Sequence, residues 1–152
     1  MNNTTIKSYH QAVLVDTSKA DAFYAVTMRL EKWWGKTDQP VFKVGDTFTT
    51  TFGKSVWKFE VRSYVPFDKI CWECVEAHHV HDGLTAIETE WLGTRLFWFF
   101  NEYYGKTEIE FVHEGLHPDL NCFSICRQAW DHFIVDSLKN YLEVGVGYPY
   151  IS

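Results

Sequence analysis

The sequence lacks the features that mark nucleic-acid-binding, membrane-spanning and secreted proteins. Lys and Arg number 14 against 20 Asp and Glu, for a formal charge of -6. No block of five or more basic residues occurs, which argues against binding the phosphates of DNA or RNA. The longest apolar runs, such as Leu96 to Phe100, are far short of the roughly 20 residues that a transmembrane helix needs. The first residues form neither a basic nor an apolar region, so we expect no secretory signal and a cytoplasmic location.

Motifs of common enzymes and cofactor-binding proteins are also missing. The sequence contains no G-x-G-x-x-G, no G-x-x-x-x-G-K-[ST], no G-x-S-x-G and no H-E-x-x-H. These patterns bind dinucleotides or phosphates, present a nucleophilic serine, or hold a zinc ion on a helix. We therefore expect no cofactor of the common kinds, and we assign no catalytic residue and no metal ligand.

Cysteine is scarce, with four residues in 152, and without a signal peptide this number is typical of reduced thiols. Cys71 and Cys74 form a C-x-x-C inside a stretch that reads as a strand, where residues three apart point to opposite faces. This placement argues against a redox motif and against a zinc knuckle. Cys122 and Cys126 lie four apart on the apolar face of a helical pattern, so we expect them to be small core residues.

Aromatic residues are abundant, with 7 Trp, 8 Tyr and 12 Phe, and the length of 152 residues predicts one domain, residues 1–152, with a single core. Apolar residues that alternate with polar ones predict strands, and apolar residues spaced by three and four predict helices. The predicted strands are 6–16, 45–52, 56–64, 69–75, 90–101 and 106–114. The predicted helical segments are 18–28, 30–34 and 122–142, with a loop at 37–43.

This order of elements predicts an α+β fold. An antiparallel sheet of about six strands, a short helical pair after the first strand and a long final helix are typical of helices packed on one face of a sheet. The final helix must bury its apolar stripe, and the inner face of the sheet is the large apolar surface available to it. Because a sheet of this size curls, we expect it to wrap around the C-terminal helix and to leave a pocket.

Four short motifs, spread over nearly the whole chain, support this expectation. They are Glu31-Lys32-Trp33-Trp34-Gly35, Glu90-Trp91-Leu92-Gly93-Thr94, Val112-His113-Glu114-Gly115-Leu116, and Trp130 with the 132–145 stretch. Together they resemble the START-like, or Bet v 1-like (SRPBCC), superfamily, and within it the branch similar to the C-terminal domain of the Aha-type chaperone ATPase activator. The resemblance implies a helix-grip fold whose cavity often holds hydrophobic ligands. It implies no common catalytic set, since the superfamily spans carriers, sensors and cyclases.

Large aromatic side chains on the predicted inner faces form the candidate site. Two interpretations are open: the side chains either line a cavity for a planar or hydrophobic ligand or fill a close-packed core. His113 is added because a histidine on the core side can orient a ligand or act as an acid or base, although a neighbouring group more often satisfies it. The candidate ligand-binding residues are Trp33, Trp34, Trp57, Trp72, Trp98, Phe111, His113 and Trp130.

A histidine-rich stretch is the remaining candidate. His78, His79 and His81 with Asp82 offer imidazole and carboxylate groups that suit zinc or nickel, and His117 is a residue that the fold can bring near them. A solvated loop is the simpler interpretation, and it is the one we adopt.

Three functions are compatible with this pattern. The first is binding of a small hydrophobic or aromatic molecule or a lipid between the sheet and the C-terminal helix. The second is a protein-interaction module, similar to the chaperone regulators, or a homodimer in which Phe97 and Phe99 form an outer apolar patch. The third is a cyclase or hydrolase that uses His113 in the cavity.

Overall fold

Seven antiparallel strands form one curled sheet in the computed structural model, which describes residues 8–151. In chain order they are β1 (Tyr9–Val15), β2 (Lys36–Thr37), β3 (Thr47–Phe52), β4 (Ser55–Val65), β5 (Lys69–His78), β6 (Arg95–Tyr103) and β7 (Lys106–Glu114). Their spatial order is β1-β7-β6-β5-β4-β3-β2, so β2 to β7 follow one another and β1 returns to pair with β7. This confirms the predicted α+β fold, with the two-residue β2 as an additional strand at the edge.

The helices cover the inner face of this sheet. Helix α1 (Lys19–Thr27) precedes a 3₁₀ turn (Leu30–Lys32), and a long C-terminal helix consists of α2 (Phe123–Asp131), a π-helical segment (His132–Leu138) and α3 (Lys139–Val144). Within residues 8–151, no helix combines the length and the apolar character that crossing a membrane requires.

Alternation along the strands explains why one face is buried. In β4, Trp57, Phe59 and Val61 are at most 5% exposed, and they point inward because side chains alternate along a strand. Phe111 of β7 does the same and meets Trp130 of α2 with ring centroids 4.5 Å apart. The predicted apolar stripe of the C-terminal helix is thus packed on the predicted inner face of the sheet.

The helix boundaries follow their capping residues. Ser18 accepts a hydrogen bond at its side-chain oxygen from the Asp21 backbone N–H, 3.1 Å away, and starts α1. Gly145, with φ of 83°, ends the C-terminal helix in the left-handed conformation that glycine tolerates. The π-helical segment was not predicted, because the spacing of apolar residues does not distinguish a π turn from an α turn. Such segments are frequent at functional sites.

The strand predicted at 90–101 is wrong at its start, because β6 begins at Arg95. The preceding residues form tight turns: the Leu92 N–H donates to the Thr89 carbonyl and the Thr94 N–H to the Trp91 carbonyl, at 3.0 and 2.9 Å. Gly93 lies between them with φ of 83°, a value that suits glycine and interrupts a strand. The segment 79–94 therefore forms a long connection between β5 and β6, and we call it the β5–β6 loop.

Candidate functional site

A cavity of about 400 Å³ lies between the C-terminal helix and one end of the sheet. This volume falls within the range of small-molecule sites. The β5–β6 loop and the C-terminal residues complete its wall. The lining residues are Trp34, Phe52, Ser55, Trp57, His79, Val80, His81, Trp91, Ile125, Cys126, Ala129, Trp130, His132, Phe133 and Tyr150.

Seven of the fifteen residues that line the cavity are Trp, Phe or Tyr, and three are histidines, His79, His81 and His132. None of the described lining residues is Asp, Glu, Lys or Arg. The hydroxyl of Ser55 is already used, because it donates to the Val80 carbonyl at 3.0 Å and accepts from the Val80 N–H at 2.9 Å. A largely apolar organic ligand without a charge therefore suits this wall better than a charged organic ligand does.

Four tryptophans form a stacked column along the cavity. Trp57 and Trp91 have ring centroids 4.7 Å apart and planes 30° apart. Trp91 stacks on Trp130 at 6.0 Å and 11°, and Trp130 on Trp34 at 5.2 Å and 21°. Because the rings stack on one another, each covers part of its neighbour's face, and together they form a continuous aromatic wall.

The indole N–H groups of this column differ in their partners. Trp130 Nε1 donates to His113 Nδ1 at 3.2 Å, whereas Trp57 Nε1 and Trp91 Nε1 are buried with no partner among the described residues. Trp72 Nε1 and Trp98 Nε1 are also unpartnered. An unpartnered indole is thus not peculiar to the cavity, but the indoles of Trp57 and Trp91 belong to residues that line it.

His113 has both ring nitrogens engaged. Nδ1 accepts from Trp130, so Nε2 carries the proton and donates to Thr94 Oγ1 at 2.9 Å. The Thr94 hydroxyl in turn donates to the Trp91 carbonyl at 2.6 Å. Complete burial lowers the pKa of His113 to about 3, so it is neutral near pH 7. This histidine fixes Trp130 and Trp91 of the column in place.

The structure divides the eight predicted site residues into two groups. Trp34, Trp57 and Trp130 line the cavity. Five others lie in the packed interior, each fully buried and outside the cavity wall: Trp33, Trp72, Trp98, Phe111 and His113. The interior group is in ring contact with the cavity group, for example Trp98 with Trp130 at 6.2 Å.

Several lining residues were missed by the sequence reasoning. Trp91 lay in the predicted strand 90–101, and its aromatic character was a usable signal. Phe133 and Ala129 lay on the apolar face of the predicted helix, where they could not be told from ordinary core residues. Tyr150 follows Gly145 and Pro149 and has no periodic neighbour, so no pattern pointed to it.

The C-terminal tail, residues 145–151, contributes Tyr150 to the wall of the cavity. The Tyr148 N–H donates to Ser137 Oγ at 2.7 Å, and Ser137 Oγ donates to the Trp33 carbonyl at 2.6 Å. The Tyr150 N–H donates to the Trp34 carbonyl at 2.9 Å. These bonds dock the tail on the 3₁₀ turn region and place the Tyr150 ring 5.3 Å from that of Phe52.

The histidine-rich stretch differs from its prediction at two residues. His81 and Asp82 are exposed and lie in a loop, as expected, but His78 is the last residue of β5 and His79 is only 8% exposed, so the prediction of a solvated loop is wrong for these two. The His79 ring lies 5.0 Å from that of Trp57, which covers it. His117 is not part of any cluster with His79 among the described residues.

The two cysteine pairs are buried and free. Burial raises the pKa of Cys71 to about 11 and that of Cys74 to about 12, so both are protonated thiols near pH 7 and poor nucleophiles. Cys122 and Cys126 are 0% and 5% exposed and lie on the inner side of the C-terminal helix, as predicted for core residues.

Comparison with known proteins gives the fold. No model of a protein family matches the sequence, and no curated protein matches it. Among solved structures, the Aha1 dimer from Colwellia psychrerythraea aligns with a TM-score of 0.76 and 22% identity over 93% of this chain and 100% of that chain. The protein MLL2253 from Mesorhizobium loti aligns with a TM-score of 0.68 and 17% identity over 84% and 90%.

A third neighbour is larger. DynU16, a putative protein in the dynemicin biosynthetic locus, aligns with a TM-score of 0.69 and 19% identity over 91% of this chain but 48% of that chain. This chain thus spans about half of DynU16. The three likenesses support a helix-grip fold, and at these identities they show the fold alone.

Proposed function

We propose that the protein binds a neutral hydrophobic small molecule, aromatic or lipid, in the cavity between the C-terminal helix and the sheet. The observation that carries this proposal is the stacked column of Trp57, Trp91, Trp130 and Trp34 beside a space of about 400 Å³. The absence of Asp, Glu, Lys and Arg from the described wall supports a neutral organic ligand over a charged one. The helix-grip fold, which commonly holds such ligands, agrees with it.

Burial of apolar surface supplies most of the affinity in this proposal, at about 25 cal/mol per Å². Each aromatic contact between the ligand and a tryptophan, edge-to-face or offset-stacked, adds about 0.5–1.5 kcal/mol beyond the area that is buried. A ligand with a planar ring system gains both contributions, whereas an acyl chain gains only the first. The column of tryptophans therefore favours a planar ligand over a purely aliphatic one.

The ligand in this proposal contacts the tryptophans through their ring carbons. Trp57 Nε1 and Trp91 Nε1 are buried without a partner among the described residues, so neither indole N–H is open to the cavity. His113 contacts no ligand in this proposal and acts as a positioning residue for Trp130, since both of its nitrogens are engaged.

The four free cysteines support a reducing compartment, and we include a cytoplasmic location in the proposal on that basis.

A cavity-filling variant tests the proposal. Ala129 lines the cavity, so Ala129→Phe should occupy the space and weaken binding at least tenfold, while the exposed Ala12→Phe serves as the matched control. Titration of tryptophan fluorescence with a panel of planar aromatic compounds and fatty acids measures the affinity. Binding that is equal in Ala129→Phe and the wild type would place the ligand elsewhere and contradict the proposal.

Self-association is a second candidate, favoured by the outer face of the sheet. Phe97 and Phe99 stack on that face with ring centroids 6.2 Å and planes 2° apart, and both are half-buried. The structural neighbour from Colwellia psychrerythraea is a dimer by its description. We propose a second copy of this chain as the occupant of this face. Light scattering should give a dimer that Phe97→Asp converts to a monomer; a wild-type monomer at high concentration would contradict it.

A further inference from the structure

Three potential metal ligands meet where the β5–β6 loop passes the start of the C-terminal helix. They are His79, the first residue after β5, Cys122, the residue directly before α2, and Cys126, which lies within α2. One ligand atom from each lies within 4.8 Å of the other two, and all three residues are buried. It is the one such cluster found in the described part of the chain. Because the two segments are far apart in the sequence, no metal-binding spacing pattern predicted this cluster.

The geometry points to a zinc site formed by His79, Cys122 and Cys126, and we propose that the protein binds one Zn²⁺ there. Tetrahedral zinc takes Zn–S distances of about 2.3 Å and Zn–N distances of about 2.0 Å, so its ligand atoms lie about 3.3–3.8 Å apart. The three ligand atoms lie within 4.8 Å of one another, which is within about 1 Å of the upper end of that range. Thiolate and imidazole are the donors that zinc prefers over magnesium or calcium.

The backbone already holds both ligand-bearing segments together. The His79 N–H donates to the Glu88 carbonyl at 3.0 Å, which fixes the base of the β5–β6 loop. Glu90, from the same loop, accepts from the backbone N–H groups of Cys122 and Asn121 at 2.9 and 2.8 Å. This carboxylate ties the loop to the start of α2, so metal binding needs little ordering of the chain.

The polar groups of the cluster lack good partners without a metal. His79 Nδ1 is buried and has no hydrogen-bond partner among the described residues. Zinc coordination would give this buried imidazole a partner. Two thiolates and a neutral imidazole balance the two positive charges of Zn²⁺, with release of two thiol protons.

The fourth coordination position would face the cavity. His79 and Cys126 both line it, whereas Cys122 lies behind them, fully buried. Zinc sites with three protein ligands and an open position bind water or a ligand heteroatom at that position. If the proposed hydrophobic ligand occupies the cavity, its oxygen, nitrogen or sulfur atom is the group that would complete the zinc coordination; this last step alone rests on the proposed function.

Cobalt titration of the full, tag-free chain in a non-thiol reductant tests the site without any organic ligand. We expect one Co²⁺ per chain, with thiolate-to-cobalt charge-transfer absorption that an equivalent of Zn²⁺ abolishes. Cys122→Ser, Cys126→Ser and His79→Gln should each weaken Co²⁺ binding by more than about 100-fold, since even residues that only support zinc ligands are worth about 10–100-fold. Cys71→Ala removes a buried thiol elsewhere and should leave binding unchanged.

A thermal-unfolding experiment distinguishes variants that fold but do not bind metal from variants that fail to fold. Zn²⁺ should raise the Tm of the wild type and of Cys71→Ala but not that of Cys126→Ser. Absence of thiolate-to-cobalt bands, or bands that persist in Cys122→Ser and Cys126→Ser, would overturn the proposal. A Cys122–Cys126 disulfide that persists in the presence of reductant, seen as a mass 2 Da lower, would overturn it as well. If the wild type binds cobalt as expected but shows no binding of the organic compounds in the fluorescence titration, only the proposed function would be overturned.

Discussion

The aromatic interior has two parts that look alike in the sequence and differ in the structure. In the filled part, Trp33, Trp72, Trp98 and Phe111 are fully buried, and Trp98 packs on Phe111 with centroids 4.3 Å apart. In the cavity part, Trp57, Trp91, Trp130 and Trp34 are also at most 5% exposed, yet they border about 400 Å³ of space. Residue type and burial therefore do not separate a binding wall from a core.

What separates the two parts is what covers them. The filled part lies between the sheet and the helices, where Trp130 and Trp33 close on Trp98 at 6.2 and 5.8 Å. The cavity part also lies between the C-terminal helix and the sheet, but there the β5–β6 loop and Tyr150 of the tail form part of the wall. Loops and tails that lack periodic packing leave space that regular elements fill.

The largest expected effect comes from truncating a tryptophan in each part. Trp98→Ala in the filled part should lower the free energy of unfolding by about 3–5 kcal/mol, because it leaves a void among packed rings. Trp57→Ala borders existing space and should cost at least about 1 kcal/mol less. Urea denaturation of both variants measures the difference. Equal losses would show that the cavity part is packed like the filled part.

The next effect concerns how the free energy of unfolding depends on pH through His113, which lies in the filled part. Burial lowers its folded pKa from 6.5 to about 3, so the unfolded chain binds one more proton between these pH values. The stability it contributes is fully present above pH 6.5 and is lost as the pH falls toward 3. The slope from this residue is at most about 1.4 kcal/mol per pH unit.

Urea midpoints measured from pH 7 to pH 4 test this account. Compared with wild type, His113→Gln should be less stable at pH 7 but should lose stability more gently as the pH falls, since its side chain does not titrate. Parallel pH profiles for the two proteins would show that His113 is not the buried neutral group described above.

The smallest of the three effects concerns the tail that borders the cavity part. A Cβ on Gly147 would lie inside the contact distance of the Lys32 carbonyl oxygen and 3.0 Å from Trp33 Cα, so Gly147→Ala should displace the tail and cost about 1–3 kcal/mol. Hydrogen exchange at 146–151 should speed up. The exposed Val146→Ala is the control and should leave exchange in the tail unchanged; a docked tail in Gly147→Ala would contradict the role given to this contact.

Much of the fold could be predicted because it rests on local periodicity. The alternation of Trp57, Phe59 and Val61 predicted an inner face, and the three-and-four spacing in 122–142 predicted the helix that covers it. Prediction failed at the start of β6, where Gly93 and tight turns interrupt an apolar stretch that reads as a strand.

The site could be predicted only as an aromatic interior, because its shape depends on long-range packing. Which tryptophans border space is decided by the β5–β6 loop and by Tyr150, and neither has a repeating pattern. The cluster of His79 with Cys122 and Cys126 joins segments about forty residues apart in a sequence without a metal-binding motif. Its partners could be found only once the fold had placed the loop beside the helix.

Native mass spectrometry of the protein purified from its own host tests the central claim most directly. The account predicts that wild-type protein carries a neutral small molecule in stoichiometric amount and that Ala129→Phe, purified in the same way, carries none. A wild-type protein that is repeatedly free of any bound molecule, or an Ala129→Phe variant that retains the same molecule, would contradict the claim that the tryptophan-lined cavity is a binding site.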